Sequence, residues 1–378
     1  QALTLTLPVA YLEQSLLALG FPAANAAQLG AAIPFLNPGL TTVGFNASPV
    51  QAFGGTSQSM AVFGQASWKP ASLDERLELT IGGRFTADDK TAYLAGDVNP
   101  VQRGRKSFEN FSWLGSLSYK FTDDVMAYAR VSTGYRSGGI NPRASVINSF
   151  DPEKARSYEA GIKSEFLDNR LRVNLSGYLT DYDNLQVQQF AAGSGGATSL
   201  IVNAGKVRLS GFEAEVTALP FTGFQLDGSV GYVKTDYRTF LFRNPATNQI
   251  VDVADSARPL YTPDWTVHVG AEYAYPVGDA MLRLRGDYSY RTKIYFNALD
   301  ITAPFNENIV SPATNNVKAR LSLEGVNVGG GKLDLGIWGD NLLNEKKLSY
   351  GIDFGSIGFA GATFMKPTSY GIDARITF

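Results

Sequence analysis

From about residue 57 to the last residue, apolar and polar side chains take turns along the chain in one segment after another. In "RLELTIGGRFT", Leu77, Leu79, Ile81 and Phe85 share one side, and Glu78, Thr80 and Arg84 share the other. "MLRLRGDYSYR" sets Leu282, Leu284, Tyr288 and Tyr290 against Arg283, Arg285, Asp287 and Arg291. "VKARLSLE" and "RLRVNLSGYLT" repeat the pattern. A strand sends successive side chains to opposite faces, so each segment is a strand with one apolar and one polar face. About thirteen such strands can be read. At "RLSGFEAEV" the parity slips, because Arg208 and Glu213 fall on opposite faces, and a bulge near Gly211 is the expected repair.

The connections between strands alternate in length. Tight ones are "KPASLDE", "FTDD", "FLDN", "LPFTG", "PVGD" and "NVGGG"; long ones cover 87–107, 137–155, 188–200, 236–261, 296–314 and 345–362. All tight turns therefore lie at one end of an up-and-down antiparallel sheet and all long loops at the other. The polar face carries Arg, Lys, Asp or Glu on nearly every strand, which an inward-packed soluble sandwich would not tolerate in that arrangement. Aromatics gather at both ends of the apolar stretches: Trp68, Tyr119, Phe166 and Tyr275 near the tight turns, Tyr135, Tyr158 and Tyr290 near the long loops. This is the pattern of a transmembrane β-barrel with a lipid-facing band, two aromatic girdles and a polar lumen. Closure satisfies every backbone group in hydrocarbon. It also accounts for a mean hydropathy of −0.08, since only every second strand residue meets lipid.

Composition removes several function classes. The chain has no cysteine, so disulfides, thiol catalysis and thiolate metal sites are excluded. A formal net charge of −2 gives no field for nucleic acid. The one histidine, His268, cannot form a multi-histidine metal site. "GVNVGGGKL" has the wrong glycine spacing for a phosphate loop, and Leu333 follows Lys332 where a hydroxyl residue would be needed. "TDYDNLQ" lacks the regular oxygen-ligand spacing of a calcium loop. No catalytic constellation, cofactor site or metal site is expected, and the chain reads as a non-enzyme. The start "QALTLTLPVA" has no Met and no targeting signature, which suggests an internal start or a removed leader. Residues 1–56 read as an outer loop with two short amphipathic helices, and 57–378 as barrel. Pro22 and Pro34 interrupt the apolar stretch in that first segment, so no membrane-spanning helix is expected.

Several segments resemble the C-terminal barrel portion of TonB-dependent outer-membrane receptors: "RLELTIGGRFTADDK", "YARVSTGYRSGGINPRA", "SYEAGIKSEFLDNRLRVNLSGYLTDYDNLQVQ", "GFEAEVTALPFTGFQLDGSVGYV", "GIWGDNLLNEKKLSYG" and "ARITF". The resemblance covers about residues 57–378. It implies a bacterial outer-membrane protein whose full barrel has about 22 strands around a plug. It further implies energy-coupled import of a scarce ligand through the TonB complex, contacted by an N-terminal region that this chain lacks. A ferric siderophore is the leading ligand; oligosaccharide or cobalamin import, or a diffusion porin of about fourteen strands, are the alternatives. The implied partners are outer-membrane lipid and lipopolysaccharide, the barrel assembly machinery, and a small-molecule ligand.

Candidate ligand contacts follow from position. Arg84, Arg130, Arg136, Arg172, Arg283, Arg285, Arg291 and Arg320 fall on inward faces, where guanidinium forks can bind carboxylate or phosphate, or pair with lumenal Asp and Glu. Arg136, Arg143 and Arg291 near the outer mouth are candidates to attract an anion. Tyr295 and Phe296 are candidates to stack on a ligand, and His268 to contact it or to serve as a wall residue. The end of the chain, "SYGIDARITF", places Tyr370, Ile372, Ala374, Ile376 and Phe378 on one face. They resemble the terminal signal read by the assembly machinery, with a periplasmic C-terminus and pairing of this strand to the barrel's first.

Overall fold

A computed structural model of the chain describes residues 4–8, 42–46, 51–96, 101–142, 147–193, 196–243, 249–354 and 359–378. In order, β1 (Thr4–Pro8) and β2 (Thr42–Asn46) pair with each other. The helices expected between them lie outside the described residues. The wall then begins with β3 (Gln51–Trp68), β4 (Leu77–Gly96), β5 (Gln102–Lys120) and β6 (Val125–Arg136). A small hairpin of β7 (Gly139–Asn141) and β8 (Asn148–Phe150) leads to β9 (Glu153–Phe166) and β10 (Leu171–Asp183). A second hairpin, β11 (Gln186–Gly193) with β12 (Gly196–Asn203), leads to β13 (Gly205–Ala218) and β14 (Phe224–Arg243). β15 (Ile250–Asp252) folds back on β14. β16 (Trp265–Val277), β17 (Ala280–Arg291), β18 (Thr314–Val328) and β19 (Gly331–Asp340) follow, with the single turn of helix α1 (Asn306–Ile309) between β17 and β18. A last hairpin, β20 (Leu348–Phe354) with β21 (Phe359–Phe364), precedes β22 (Ser369–Thr377).

The wall is one antiparallel sheet in the order β22-β19-β18-β17-β16-β14-β13-β10-β9-β6-β5-β4-β3. Each strand thus pairs with its neighbour in sequence once the loop hairpins are set aside, as an up-and-down barrel wall requires. Among the described residues β3 and β22 each lack a partner on their outer side, so this stretch of wall is an open arc. No helix among the described residues is long and apolar enough to cross a membrane.

The apolar face points outward and stays bare. Ile81, Ile162, Leu175, Leu284, Ile337 and Ile372 all remain exposed to the surroundings, Ile372 by 83%. The six tight connections are where the sequence places them, and Trp68, Tyr119, Phe166 and Tyr275 are exposed on the outward face beside them.

Three expectations need correction. The stretch 87–107 is mostly strand: β4 continues to Gly96 and β5 starts at Gln102, leaving five residues, 97–101, as the connection. "ADDKTAYLAG" keeps the two-residue period, with Asp88, Ala92 and Leu94 buried on the inward face, although Asp89 and Thr91 interrupt the apolar run outward, so the strands extend past the apolar band. The bulge expected at Gly211 is absent there; the register of β13 on β14 shifts between Lys206 and Val207. No repair is needed at Gly211 because Arg208 lies beyond the apolar band, where it faces outward and bonds Asp181 at 2.7 and 2.9 Å. Tyr135 shares the outward parity of Val131 and pairs with Lys154, yet its hydroxyl turns back to donate to Asp88, buried on the inward parity of β4, so its ring does not stand free in an outer girdle. A further shift, between Leu323 and Val326 on β18, is accommodated by Gly325 at φ +78°, a left-handed conformation that favours glycine.

Candidate functional site

Two regions could meet a ligand passing along the concave face: the inward wall and the loops at its long-loop end. On the wall, most inward arginines already have carboxylate partners. Arg130 pairs with Glu159 at 3.2 Å, and Arg172 with Glu165 at 2.8 Å. Arg283 bonds Glu272 and, at 3.3 Å, Glu324. Arg84 bonds Thr86 and covers the Phe63 ring.

Two of these pairs skip a strand, and each crosses a glycine. Arg285 on β17 reaches over Gly270 of β16 to Asp227 on β14, with contacts of 3.0 and 3.2 Å. Arg320 on β18 reaches over Gly336 of β19 to Asp373 on β22, with contacts of 2.7 and 2.6 Å. A methyl group on Gly270 would sit 2.5 Å from the Asp227 carboxylate, and one on Gly336 would fall on the Arg320 guanidinium. The glycines clear a path for fork-to-fork pairing across ~9–10 Å of sheet.

His268 belongs to the first of these networks. Its Nε2 lies 3.2 Å from Asp227 and 3.7 Å from Asp287. Asp227, His268 and Asp287 come within metal-ligand reach of one another. Arg285, however, donates to both carboxylates, at 2.6 and 3.1 Å for Asp287. The guanidinium supplies the positive charge that a divalent ion would otherwise bring, so these residues do not fit a metal while Arg285 stays there. His268 is held as part of the wall.

The long-loop end has its own small core. Val187, Ala204, Phe240, Phe242, Ala298 and Leu299 are buried together, with Phe240 at 0% exposure. They come from three connections that are distant in sequence. Backbone bonds lock them: Leu241 to Ala204 at 2.8 Å, Val253 to Phe240 at 2.9 Å and Arg258 to Ala298 at 2.8 Å. Tyr237 packs against this core, and burial pushes its phenol up to about 12.

Beside it, Tyr295 and Phe296 are both covered to 6% exposure. Phe296 lies between Tyr261 and Tyr350, centroids 5.4 and 5.9 Å away, and those two rings are the exposed ones. Arg258 and Lys293 each stand 5.1 Å from the Tyr295 ring centroid. Hydrogen bonding to Tyr295 holds the Lys293 ammonium more firmly protonated than usual. Asp353 on β20 accepts from the Phe305 amide at 2.7 Å, tying the last hairpin to α1. Arg291 bonds Ser311 at 2.7 Å and the Thr292 carbonyl at 3.0 Å, and has no carboxylate partner among the described residues. Arg136 is exposed, again with no ion pair among the described residues. Arg143 lies outside the described residues.

The structure therefore gathers Arg291, Tyr295 and Phe296 in one loop cluster, keeps His268 in the wall, and leaves Arg136 apart. Sequence reading missed Tyr261 and Arg258. Their connection carries no period, and Tyr261 stands out only by its left-handed φ of +52°, which no pattern reveals. On β22, Tyr370, Ile372, Ile376 and Phe378 are widely exposed outward, Ala374 shares their parity, and Asp373 turns inward to Arg320.

Comparison with known proteins agrees with this architecture. A family model described as "TonB dependent receptor-like, beta-barrel" matches residues 12–342. The ferric-pyoverdine M114 receptor PbuA of a Pseudomonas strain is 25% identical over 232 residues, covering 60% of this chain and 25% of that protein. The probable TonB-dependent siderophore receptor PiuA of Acinetobacter baumannii is 23% identical over 218 residues, covering 50% and 28%. Among solved structures, the ferric yersiniabactin uptake receptor FyuA of Yersinia pestis superposes with a TM-score of 0.69 at 19% identity, over 87% of this chain and 47% of that one. The chain matches about a quarter of the length of these curated relatives and under half of the solved receptor.

Proposed function

The chain belongs to the TonB-dependent receptor family, as part of its β-barrel, and on that premise we propose that the receptor it helps to form imports a ferric siderophore by energy-coupled transport. The family is one of transport receptors, integral to the outer membrane. The observation that carries the ligand class is the run of relatives named for siderophores: ferric pyoverdine for one and a siderophore receptor for another, with a ferric yersiniabactin receptor among the structural neighbours. The loop cluster supports it chemically. Arg291 has no carboxylate partner among the described residues, Lys293 stands over the Tyr295 ring whose other flank is Arg258, itself paired with Asp300 and Glu307, and Tyr261 and Tyr350 present open ring faces. Such a surface suits an anionic, partly aromatic ligand. A closed porin of about fourteen strands fits less well, since β3 and β22 are not paired to each other.

In this reading the long loops face the outside and the C-terminus faces the periplasm. The TonB complex acts through a region not included here. Tyr370, Ile372, Ala374, Ile376 and Phe378 serve the barrel assembly machinery, and the β1–β2 hairpin ahead of the wall strand that starts at Gln51 belongs to an outer loop. The deciding experiment is growth of a receptor-deletion strain on single iron sources. Loss of growth on one ferric siderophore, restored by the receptor gene, is expected. Unimpaired use of every siderophore, with lost uptake of a glycan or of cobalamin, would replace the assignment.

A further inference from the structure

The wall comes apart at one seam. β5 and β6 pair from Lys120 and Met126 up to Leu114 and Ser132, and there the ladder ends, although β5 runs on to Gln102 and β6 to Arg136. The Thr133 hydroxyl sits in the split. It accepts from the Trp113 amide at 2.8 Å and donates to the Trp113 carbonyl at 3.2 Å. Both backbone groups of Trp113 therefore point away from β4. In an antiparallel ladder alternate residues send their N–H and C=O to the same side, so those of Phe111, Glu109 and Ser107 point away from β4 as well. The lower ends of the strands obey the same alternation: the Lys120 amide donates to Arg76 on the β4 side, and the Phe121 amide to Val125 on the β6 side. By the parity of Val125, Thr133 and Tyr135 turn their backbone groups toward β5.

Among the described residues no ladder or backbone bond meets Phe111, Glu109 or Ser107 on that side, nor Thr133 or Tyr135. Two strand edges thus face each other across a notch that opens toward the long-loop end. A cleft of about 690 Å³ lies in it, with Asn110 and Phe111 on one side and Thr133 and Gly134 on the other. The Tyr135 side chain, reaching to Asp88 at 3.0 Å, floors the notch on its inward side. β5 is held straight from behind, because its pairing with β4 continues up to Leu94 and Gln102. A preformed edge with unmet donors and acceptors is a template for one more strand.

Charge narrows the kind of strand. Lys106 borders the notch on β5, and Lys90 stands directly opposite it on β4. Like charges so placed repel, and neither lysine has a carboxylate partner among the described residues. Across the notch, Lys154 and Arg156 line the cleft, and Arg136 ends β6; all three are exposed and make no ion pair among the described residues. Of the carboxylates beside them, Asp88 is engaged by Tyr135 and Glu153 by the Gln186 amide at 2.7 Å, which leaves Glu109 on the edge itself.

We propose that this notch binds an extended, acidic peptide segment of a protein partner, added to the edge of β5 as a further strand. Main-chain bonds to Phe111, Glu109 and Ser107 hold the segment, and the five surrounding cations select its acidic side chains. About five residues suffice to run from Phe111 to Ser107. The site is separate from the loop cluster of Arg291 and Tyr295 and stands whichever small molecule the receptor imports.

Fluorescence anisotropy of dye-labelled peptides on the full receptor in detergent tests this. The probes are a peptide of alternating aspartate and valine, its lysine–valine counterpart, and the aspartate–valine peptide with every amide N-methylated. Saturable binding of the first is expected, weaker by about tenfold or more for the other two, with slowed amide exchange at Ser107, Glu109 and Phe111. Glu109→Pro deletes the middle donor of the edge and spares the β4 ladder, since that amide points away from β4. It also removes a carboxylate that repels the peptide, so weakened binding in this variant comes from the lost backbone donor. Lys106→Gln with Arg156→Gln should weaken the acidic peptide severalfold. Equal binding of the methylated peptide, which needs no variant to fold, or undiminished binding to Glu109→Pro, overturns the proposal. Equal binding of the lysine peptide overturns it too, and so does slow exchange at the three edge amides in the receptor alone, which would show another strand of the receptor already on that edge.

Discussion

Arg320 and Asp373 hold each other by two parallel N–H···O bonds across an intervening strand, at 2.7 and 2.6 Å, in the space that Gly336 leaves open. The pair fastens β22 to β18 through side chains, in addition to the backbone ladder that joins β22 to β19. Arg285 and Asp227 repeat the device over Gly270. In a wall where backbone bonds link only adjacent strands, these pairs are second-neighbour ties.

Gly336→Val should therefore loosen β22 without touching either charge. Amide hydrogen exchange across Ser369–Thr377 is expected to quicken severalfold, and Asp373→Ala should give a similar increase. The swap of Arg320→Asp with Asp373→Arg should recover part of the protection. Unchanged exchange in Gly336→Val would mean that the backbone ladder alone holds the strand.

Removing Arg285 should convert a filled site into a metal site. Arg285→Ala leaves Asp227, His268 and Asp287 within ligand distance of one another and without their cation. Calorimetric titration with zinc is expected to show one saturable site in the variant and none in the parent at that position, and His268→Ala added to the variant should abolish it. Equal zinc uptake by parent and variant would contradict the balance of charge described for this network.

The loop core should fail separately from the wall. Phe240 is fully buried among loop residues, and Phe240→Ala removes a ring worth about 3–5 kcal/mol in such a setting. Proteolysis within 236–262 is expected to accelerate, while the heat-shifted mobility of the barrel on gels stays as it was. Loss of the heat shift would show that the loops and wall fold as one unit.

Tyr237 supplies a pH test of the same core. Burial raises its phenol from 10.0 to about 12. In the unfolded loop it ionises near 10, so its contribution is intact below pH 10 and is lost as pH rises through about 12. Over that window the linkage amounts to roughly 2–3 kcal/mol. The difference in phenolate absorbance between the parent and Tyr237→Phe should titrate near 12, with faster loop exchange above pH 10. A difference curve centred near 10 would place the ring in water.

On the outward face, Ile372→Arg puts a charge into hydrocarbon. The expected cost in urea unfolding from bilayers is about 2–4 kcal/mol at mid-depth and less toward either interface. The same substitution at Gly371, which faces inward, should cost little through lipid and act instead through Trp338, which occupies the space beside that glycine. Equal penalties at the two positions would undo the assignment of faces.

The wall was legible in the sequence because its signal is local: Leu282, Leu284 and Tyr288 declare a face by counting in twos. Inward arginines were legible as a set, but their partners were not. Nothing in "KARLS" or "GIWGD" says that Gly336 is a passage between Arg320 and Asp373, since that depends on the register of three strands. The outward charges Arg156, Asp181 and Arg208 carry a readable signal, since each keeps the parity of its own strand's apolar face, that of Tyr158, Leu179 and Phe212. Arg208 reads as a parity slip only when lipid contact is assumed along the whole strand. The loop core escaped for a different reason: Val187, Phe240 and Leu299 meet only in three dimensions, and their connections have no period.

That core has a practical outcome for anyone raising reagents against the long-loop end of the wall. Its visible surface is assembled from segments around residues 187, 204, 240 and 299, which are adjacent only when folded. A linear peptide copied from any one of them presents side chains, such as Phe240 and Leu299, that the native protein hides. Antibodies selected on such peptides should recognise denatured protein on blots and ignore the folded receptor. Immunogens that keep Phe240 covered, carrying all four segments on one scaffold, are the form in which this surface can be seen by a binder.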